Sequence, residues 1–162
     1  MKDNVKESIS KARAGDPIAI ARLLISTPSV NPILESDGTG ELDIAEVAAE
    51  LLADWGLTTE FQAVSPGRAN VVARLEGDGP TLLLNGHLDT VGVRGMTVSP
   101  FAGGLVGSRI VGRGACDMKG GLASLLSATA RLAEKGPRPN LVVALTADEE
   151  HESLGMAEFV NG

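Results

Sequence analysis

Tyrosine is missing from this chain, tryptophan occurs once and phenylalanine three times, so any core must be built from aliphatic side chains. A single cysteine, Cys116, excludes an internal disulfide and agrees with a reducing compartment. No apolar run approaches the roughly 20 residues that a membrane helix needs. The start, Met1-Lys2-Asp3-Asn4-Val5-Lys6, has no apolar signal core. Positive charge is short as well. Against 21 Asp and Glu there are 14 Lys and Arg, leaving a formal charge of −7, the wrong sign for a nucleic-acid partner. These absences predict a cytoplasmic chain with neither membrane nor nucleic acid as partner. The acidic balance suits a site that collects cations, although most such acids are solvated surface.

What is present is one domain's worth of chain, 162 residues, long enough to bury a core. Its 43% hydrophobic and 22% charged content is ordinary for a globular protein, and no internal repeat interrupts it. Val5, Ile9 and Ala12 stand at helical spacing, with Gly15 as a stop. Asp16-Pro17 restarts a helix carrying Ile18, Ala21, Leu24 and Ile25, closed by Pro28, and residues 28–41 read as a loop. Ile44, Val47, Ala48, Leu51, Leu52 and Trp55 mark one face of a further helix, ended by Gly56. Residues 57–64 and 69–76 read as strands around Ser65-Pro66-Gly67. The three-leucine run Leu82-Leu83-Leu84 predicts a strand buried on both faces, and Leu141–Leu145 predicts a second. Between them, residues 90–114 look irregular apart from a short strand near Arg109–Val111. A crossover helix follows over 119–135, and another helix begins near Gly155. The alternation predicts an α/β fold with a mixed, mostly parallel sheet covered by helices on both faces.

Sites in open α/β sheets gather beyond the carboxyl ends of strands. His87 and Asp89 follow the leucine strand, Asp117 follows the strand near 109–111, and Asp148-Glu149-Glu150 follow the 141–145 strand. The separations, 30 residues from His87 to Asp117 and 32 from Asp117 to Glu149, each match one strand–crossover–strand step. His87 and Asp89 share a face if the strand continues, so the carboxylate can fix the ring while a nitrogen binds a metal. The same pair also fits a strand-ending histidine bonded by a nearby acid. Alone, the acidic triplet would be a solvated turn; converging carboxylates would repel and raise one another's pKa values, a penalty that a dication removes. Histidine with Asp and Glu is a ligand mix for zinc or a similar metal, and two metals form a clamp suited to hydrolysis. A glutamate beside a ligand glutamate is then available as a general base. Gly112-x-Gly114 lacks the third glycine of a dinucleotide fingerprint, and no phosphate loop is present. Cys116 is expected to be a small buried thiol and His151 a surface histidine.

Leu84-Asn85-Gly86-His87-Leu88-Asp89-Thr90-Val91, Gly112-Arg113-Gly114-Ala115-Cys116-Asp117-Met118-Lys119-Gly120-Gly121 and Asp148-Glu149-Glu150 carry a resemblance. They resemble the signature blocks of the dinuclear zinc hydrolases that include acetylornithine deacetylase, succinyl-diaminopimelate desuccinylase, aminoacylase and glutamate carboxypeptidase. Thr27-Pro28-Ser29-Val30-Asn31-Pro32 and Gly67-Arg68-Ala69-Asn70-Val71-Val72-Ala73 add smaller matches. The resemblance implies a zinc-peptidase-like catalytic domain holding two Zn2+ or Co2+. It implies that His87 binds one metal, Glu150 the other, and Asp117 bridges them. It further implies that Glu149 is the general base, that Asp89 orients His87, and that the Asp117–Met118 peptide bond is cis.

The family also has a further acidic ligand beyond the glutamate pair, a distant histidine ligand, and a lid domain through which the parent enzymes form homodimers. None of these lies within residues 1–162, so the expectation is the N-terminal portion of a metallohydrolase catalytic domain. Two functions remain open on the sequence. One is hydrolysis of an amide bond next to an amino-acid carboxylate, in a small N-acylated amino acid or peptide, in the manner of an acetylornithine deacetylase. The other is a catalytically silent fragment with a partial metal site.

Overall fold

The computed structural model describes residues 2–162, with side chains from Lys6 onward; the apolar position expected at Val5 lies outside those side chains. Two helices come first, α1 (Lys2–Arg13) and α2 (Pro17–Ser26). Gly15 separates them with a φ of 79°, a conformation that favours glycine. The Asp16 carboxylate then caps α2, accepting from the Ala19 N–H at 2.8 Å, with Pro17 in the first turn. The apolar face read from the sequence forms α3 (Leu42–Asp54), and Gly56 follows it.

β1 (Thr58–Ser65) and β2 (Arg68–Leu75) flank the two-residue turn Pro66-Gly67, which forces them antiparallel. β3 (Gly79–His87) is longer than the leucine run that announces it and reaches the histidine. β4 (Gly104–Val106) and β5 (Arg109–Val111) pair only with each other, as a separate hairpin. α4 (Lys119–Ala133) crosses over to β6 (Pro139–Thr146), and α5 (Leu154–Asn161) closes the order.

The main sheet runs β1-β2-β6-β3. It is mixed, as expected, but it is not mostly parallel: β1–β2 and β2–β6 are antiparallel and β3–β6 alone is parallel among the described residues. The hairpin fixes the first pairing, and β2 meets β6 in the opposite sense. Only the β3–α4–β6 crossover can make parallel neighbours here.

One face of this sheet, through Val71, Ala73, Val143 and Leu145, packs on Ile20 and Leu24 of α2, Ile44 and Leu52 of α3, and Leu122 and Leu126 of α4, all buried. Side chains alternate along a strand, so Asn70 faces the other way. There its amide donates to the Gly155 carbonyl at 2.7 Å and holds α5 over β1, β2 and β6. Helices therefore lie on both faces, but β3 is not covered on both. Leu82 and Leu83 are 39% and 49% exposed, against the expectation of full burial. The reason is position: β3 is the outermost strand, with one neighbour instead of two. Leaving each leucine half in water forgoes on the order of 1 kcal/mol. No helix among the described residues is long and apolar enough to cross a membrane.

Candidate metal centre

His87 ends β3 directly opposite Thr146, which ends β6. Because these strands are parallel, the segments that follow them leave from the same edge of the sheet. That edge carries Asp89 on one side and Asp148-Glu149-Glu150 on the other. Asp117 arrives by another route. Since β5 belongs to the small hairpin, Asp117 does not follow a strand of the main sheet as the spacing suggested; it stands in the turn before α4. Its peptide bond to Met118 is cis, as the resemblance implies. The His87 N–H donates to the Met118 sulfur at 3.3 Å, tying this turn to β3. Gly86 permits the approach, because a Cβ there would lie 2.6 Å from Leu122 Cδ2.

One ligand atom from each of His87, Asp117 and Glu150 lies within 4.8 Å of the other two. His87 Nε2 is 3.1 Å from Asp117 Oδ1 and 3.7 Å from Glu149 Oε2. On the other side of the ring, Nδ1 is 3.0 Å from the Asp89 carbonyl and 3.4 Å from its carboxylate. A carbonyl can only accept, so Nδ1 carries the proton in the neutral ring and the Nε2 lone pair faces the acids. Asp89 thus orients His87 through its main chain more closely than through its side chain. The Asp89 carboxylate is turned to the other loop, where its Oδ1 accepts the Glu149 N–H at 2.9 Å and its Oδ2 the Glu150 N–H at 3.1 Å.

The charges respond accordingly. Burial pulls His87 down, but hydrogen bonds with Asp89 and Asp117 and the charges of Asp89 and Glu149 outweigh it, leaving the imidazole pushed up to about 9. Glu150 is raised, first by burial, with Asp117, Asp89 and Glu149 adding repulsion against the pull of His87. Asp89 departs from the expected upward shifts. Burial raises it, yet the bonds from His87, Asn31, Glu149 and Glu150 hold it below the usual carboxylate range. One imidazole nitrogen, two nearby ligand carboxylates and a third acid facing the same nitrogen form a donor set that fits a borderline divalent metal.

His87 and Asp89 are buried, Glu150 is half-buried, and Asp117 and Glu149 are exposed to solvent. The five residues singled out from the sequence therefore do come together. His151 is exposed, as expected. Cys116 is exposed too, which corrects the buried thiol: it sits in the turn beside Asp117 and not among the core side chains.

Four buried residues behind the cluster had no assigned part in the sequence reading. Arg68 donates to both oxygens of Glu41, at 2.8 and 2.6 Å, and to Asp148 Oδ1 at 2.9 Å. Asn31 donates to Asp89 at 2.9 Å and to Asp148 at 3.0 Å. Glu41 stands at the start of α3 yet caps nothing with its side chain, because Arg68 and the Asp148 N–H occupy it. The short matches around Asn31 and Arg68 could have found those two, and the acidic triplet Asp148; no signal in the sequence marks Glu41.

The pattern of peptidase family M20/M25/M40 matches residues 83–162, the part of the chain that holds all five of these residues. The chain is 38% identical over 143 residues to a succinyl-diaminopimelate desuccinylase of Rhodospirillum centenum, covering 85% of this chain and 36% of that protein. Its fold is similar to that of human carnosine dipeptidase 1, with a TM-score of 0.76 at 19% identity over 96% of this chain and 37% of that one. It is also similar to the Bacillus subtilis YXEP protein, a dinuclear metal binding peptidase from the M20 family, with a TM-score of 0.53 at 20% identity over 86% and 36% of the two chains. The chain spans little more than a third of the length of the curated relatives it matches. From β3 to α5 the chain thus matches the pattern of peptidase family M20/M25/M40, and its longer alignments are to succinyl-diaminopimelate desuccinylases.

Proposed function

We propose that this chain carries part of the centre of a metal-dependent hydrolase that cleaves an amide bond next to an amino-acid carboxylate, as an N-deacylase or an exopeptidase. One observation carries the reading: His87, Asp117 and Glu150 offer ligand atoms within 4.8 Å of one another at one sheet edge, with Glu149 beside them. His87 would hold one divalent ion, Glu150 the other, and Asp117 would be shared, with zinc or cobalt suited to the donors. Such a pair of ions polarises the scissile carbonyl and activates water. Glu149, exposed and facing His87 Nε2 without belonging to the ligand triad, takes the proton of the attacking water on its carboxylate and returns it to the leaving amine. Asp89 keeps His87 in the tautomer that turns Nε2 to the site.

The substrate is a small N-acylated amino acid or peptide. The signature blocks favour an acetylornithine-deacetylase-like activity, and the desuccinylase relatives bring succinyl into the range of acyl groups. The whole protein is a cytoplasmic homodimer formed through a lid domain, and residues 1–162 are the N-terminal portion of its catalytic domain. By itself the chain is the silent fragment: each ion would have one private ligand and a shared one, where a catalytic zinc has three protein ligands.

The test joins residues 1–162 to the remaining part of a desuccinylase relative and assays N-acetylornithine and N-succinyl-diaminopimelate with zinc or cobalt. Hydrolysis by the joined protein and none by the chain alone is expected. A joined protein that folds, holds its metals and cleaves neither these substrates nor dipeptides would refute the hydrolase reading; turnover by the chain alone would refute the silent-fragment one.

A further inference from the structure

Two short sequence blocks, one around Asn31 and one around Arg68, take no part in the chemistry above, yet their polar side chains meet in the core behind it. Asp89, Asp148 and Glu41 are all at least 99% buried, and Arg68 is bonded to two of them, Glu41 and Asp148. Asn31, with no exposed surface, spans two of these acids through a single amide nitrogen, 2.9 Å from Asp89 Oδ2 and 3.0 Å from Asp148 Oδ1. The amide cannot be reversed, because its oxygen accepts the Ile33 N–H at 3.0 Å. Asp148 is held from several sides. Arg68 and Asn31 donate to Oδ1, the N–H groups of Glu152 and Leu154 to Oδ2, and its own N–H donates to Glu41 at 3.1 Å. Its φ of 67° is a conformation that few side chains adopt without such restraint. The turn at Asp148 sends the next two N–H groups, those of Glu149 and Glu150, back to the Asp89 carboxylate.

We propose that Asn31, Arg68 and Glu41 are positioning residues that lock the Glu149-Glu150 turn to the His87-Asp89 segment and so set where the Glu150 and His87 ligand atoms stand. A ligand glutamate on a turn after β6 and a ligand histidine at the end of β3 share no backbone hydrogen bonds of the sheet beyond Thr146. Asp89 is the common point; Asn31 ties it to Asp148, and Arg68 with Glu41 holds Asp148 and its turn in place. Loss of Asn31 leaves two buried carboxylates facing each other without a donor between them. This proposal rests on the metal-centre reading, and its test separates the two.

The experiment titrates zinc alone into the isotope-labelled 162-residue chain while following backbone amide signals and amide hydrogen exchange. Asn31→Ala, Asn31→Asp and Arg68→Lys are compared with the parent, with His87→Ala as control. Asn31→Asp keeps size and shape but replaces the bridging donor with a third acid; Arg68→Lys keeps the charge but loses the two-pronged contact with Glu41. In variants that retain a dispersed, folded spectrum, the Glu149 and Glu150 amides are expected to exchange at least about 10-fold faster. Zinc affinity should fall by about 10–100-fold, the usual cost of losing a residue behind a metal ligand. Should the Asn31 variants not fold, Arg68→Lys decides alone. Folded variants with unchanged exchange at Glu149 and Glu150 and unchanged zinc affinity would overturn the proposal, since filling space alone is all Asn31 would then do. If His87→Ala leaves zinc binding untouched, the metal-centre reading fails, while the exchange rates still decide the positioning claim.

Discussion

Glu149 and Lys119 show how one side chain's surroundings decide its use. Glu149 is solvent-exposed, its N–H is anchored to Asp89, and its carboxylate faces His87 Nε2 without joining the ligand triad. In a complete enzyme built on this chain, Glu149→Gln is expected to lower turnover by about 10²–10⁴-fold while both metals are retained. Metal content by elemental analysis beside the rate checks this, and a variant that keeps its rate would exchange the parts given to Glu149 and Glu150. Lys119 is the opposite case, 1% exposed, with Nζ donating to the Thr27 carbonyl at 2.7 Å and burial alone acting on its charge. Burial brings its pKa down to about 7 from the ordinary 10.5. Between those values the unfolded chain holds the proton and the folded one does not, so this group makes stability rise with pH across that window and leaves its full penalty below it. Denaturant unfolding of the metal-free chain from pH 7 to 10 should show Lys119→Met losing a slope approaching 1.4 kcal/mol per pH unit. Parallel slopes for parent and variant would mean that the lysine stays charged.

At the scale of elements, the centre depends on the distance between β3 and α4. Gly86 sits on β3 where Leu122 of α4 and Met118, just before that helix, come closest, and the neighbouring His87 N–H bonds to the Met118 sulfur. Gly86→Ala should cost about 1–3 kcal/mol by overpacking and shift the Asp117 turn away from His87. Thermal unfolding gives the first quantity, and the Met118 methyl signal reports the second; an unchanged melting point would show that the helix can give way freely. The outer edge of β3 has no strand beside it in the described sheet, and Leu83 is 49% exposed there. Such an edge invites pairing between chains. Sedimentation of the isolated chain is expected to show concentration-dependent association that Leu83→Lys reduces without lowering the melting point. A monomeric parent at all concentrations would remove the argument.

For the whole molecule, the count of ligands sets the strength of the centre. With His87, Asp117 and Glu150 as the one such group among the described residues, zinc calorimetry should give weak binding, far from nanomolar, at either position. Nanomolar binding at two positions would mean that the chain supplies ligands of its own beyond these. The acid-rich balance, −7 overall, favours cation entry at low ionic strength but cannot replace missing ligands.

The sequence alone marked every element except β4, whose stretch reads as irregular, and singled out the candidate residues of the centre. Amphipathic spacing, Gly15, Gly56 and the Asp16-Pro17 cap fixed the helices, and the motif blocks named His87, Asp89, Asp117, Glu149 and Glu150. These are local properties, set by backbone conformation and by side-chain chemistry within a few residues. Neighbours far along the chain decided the rest. Only the strand order placed Leu82 and Leu83 at an open edge, because a leucine run reads the same whether one strand or two lie beside it. Only the pairing of β5 with β4 took the strand before Asp117 out of the main sheet, and only the fold put Cys116 in solvent. The core network joins Asn31, Glu41, Arg68, Asp89 and Asp148 across as many as 117 positions. Several of these residues stand in the motif blocks, but each one's hydrogen-bond partner exists only once the sheet and the loops have closed around it.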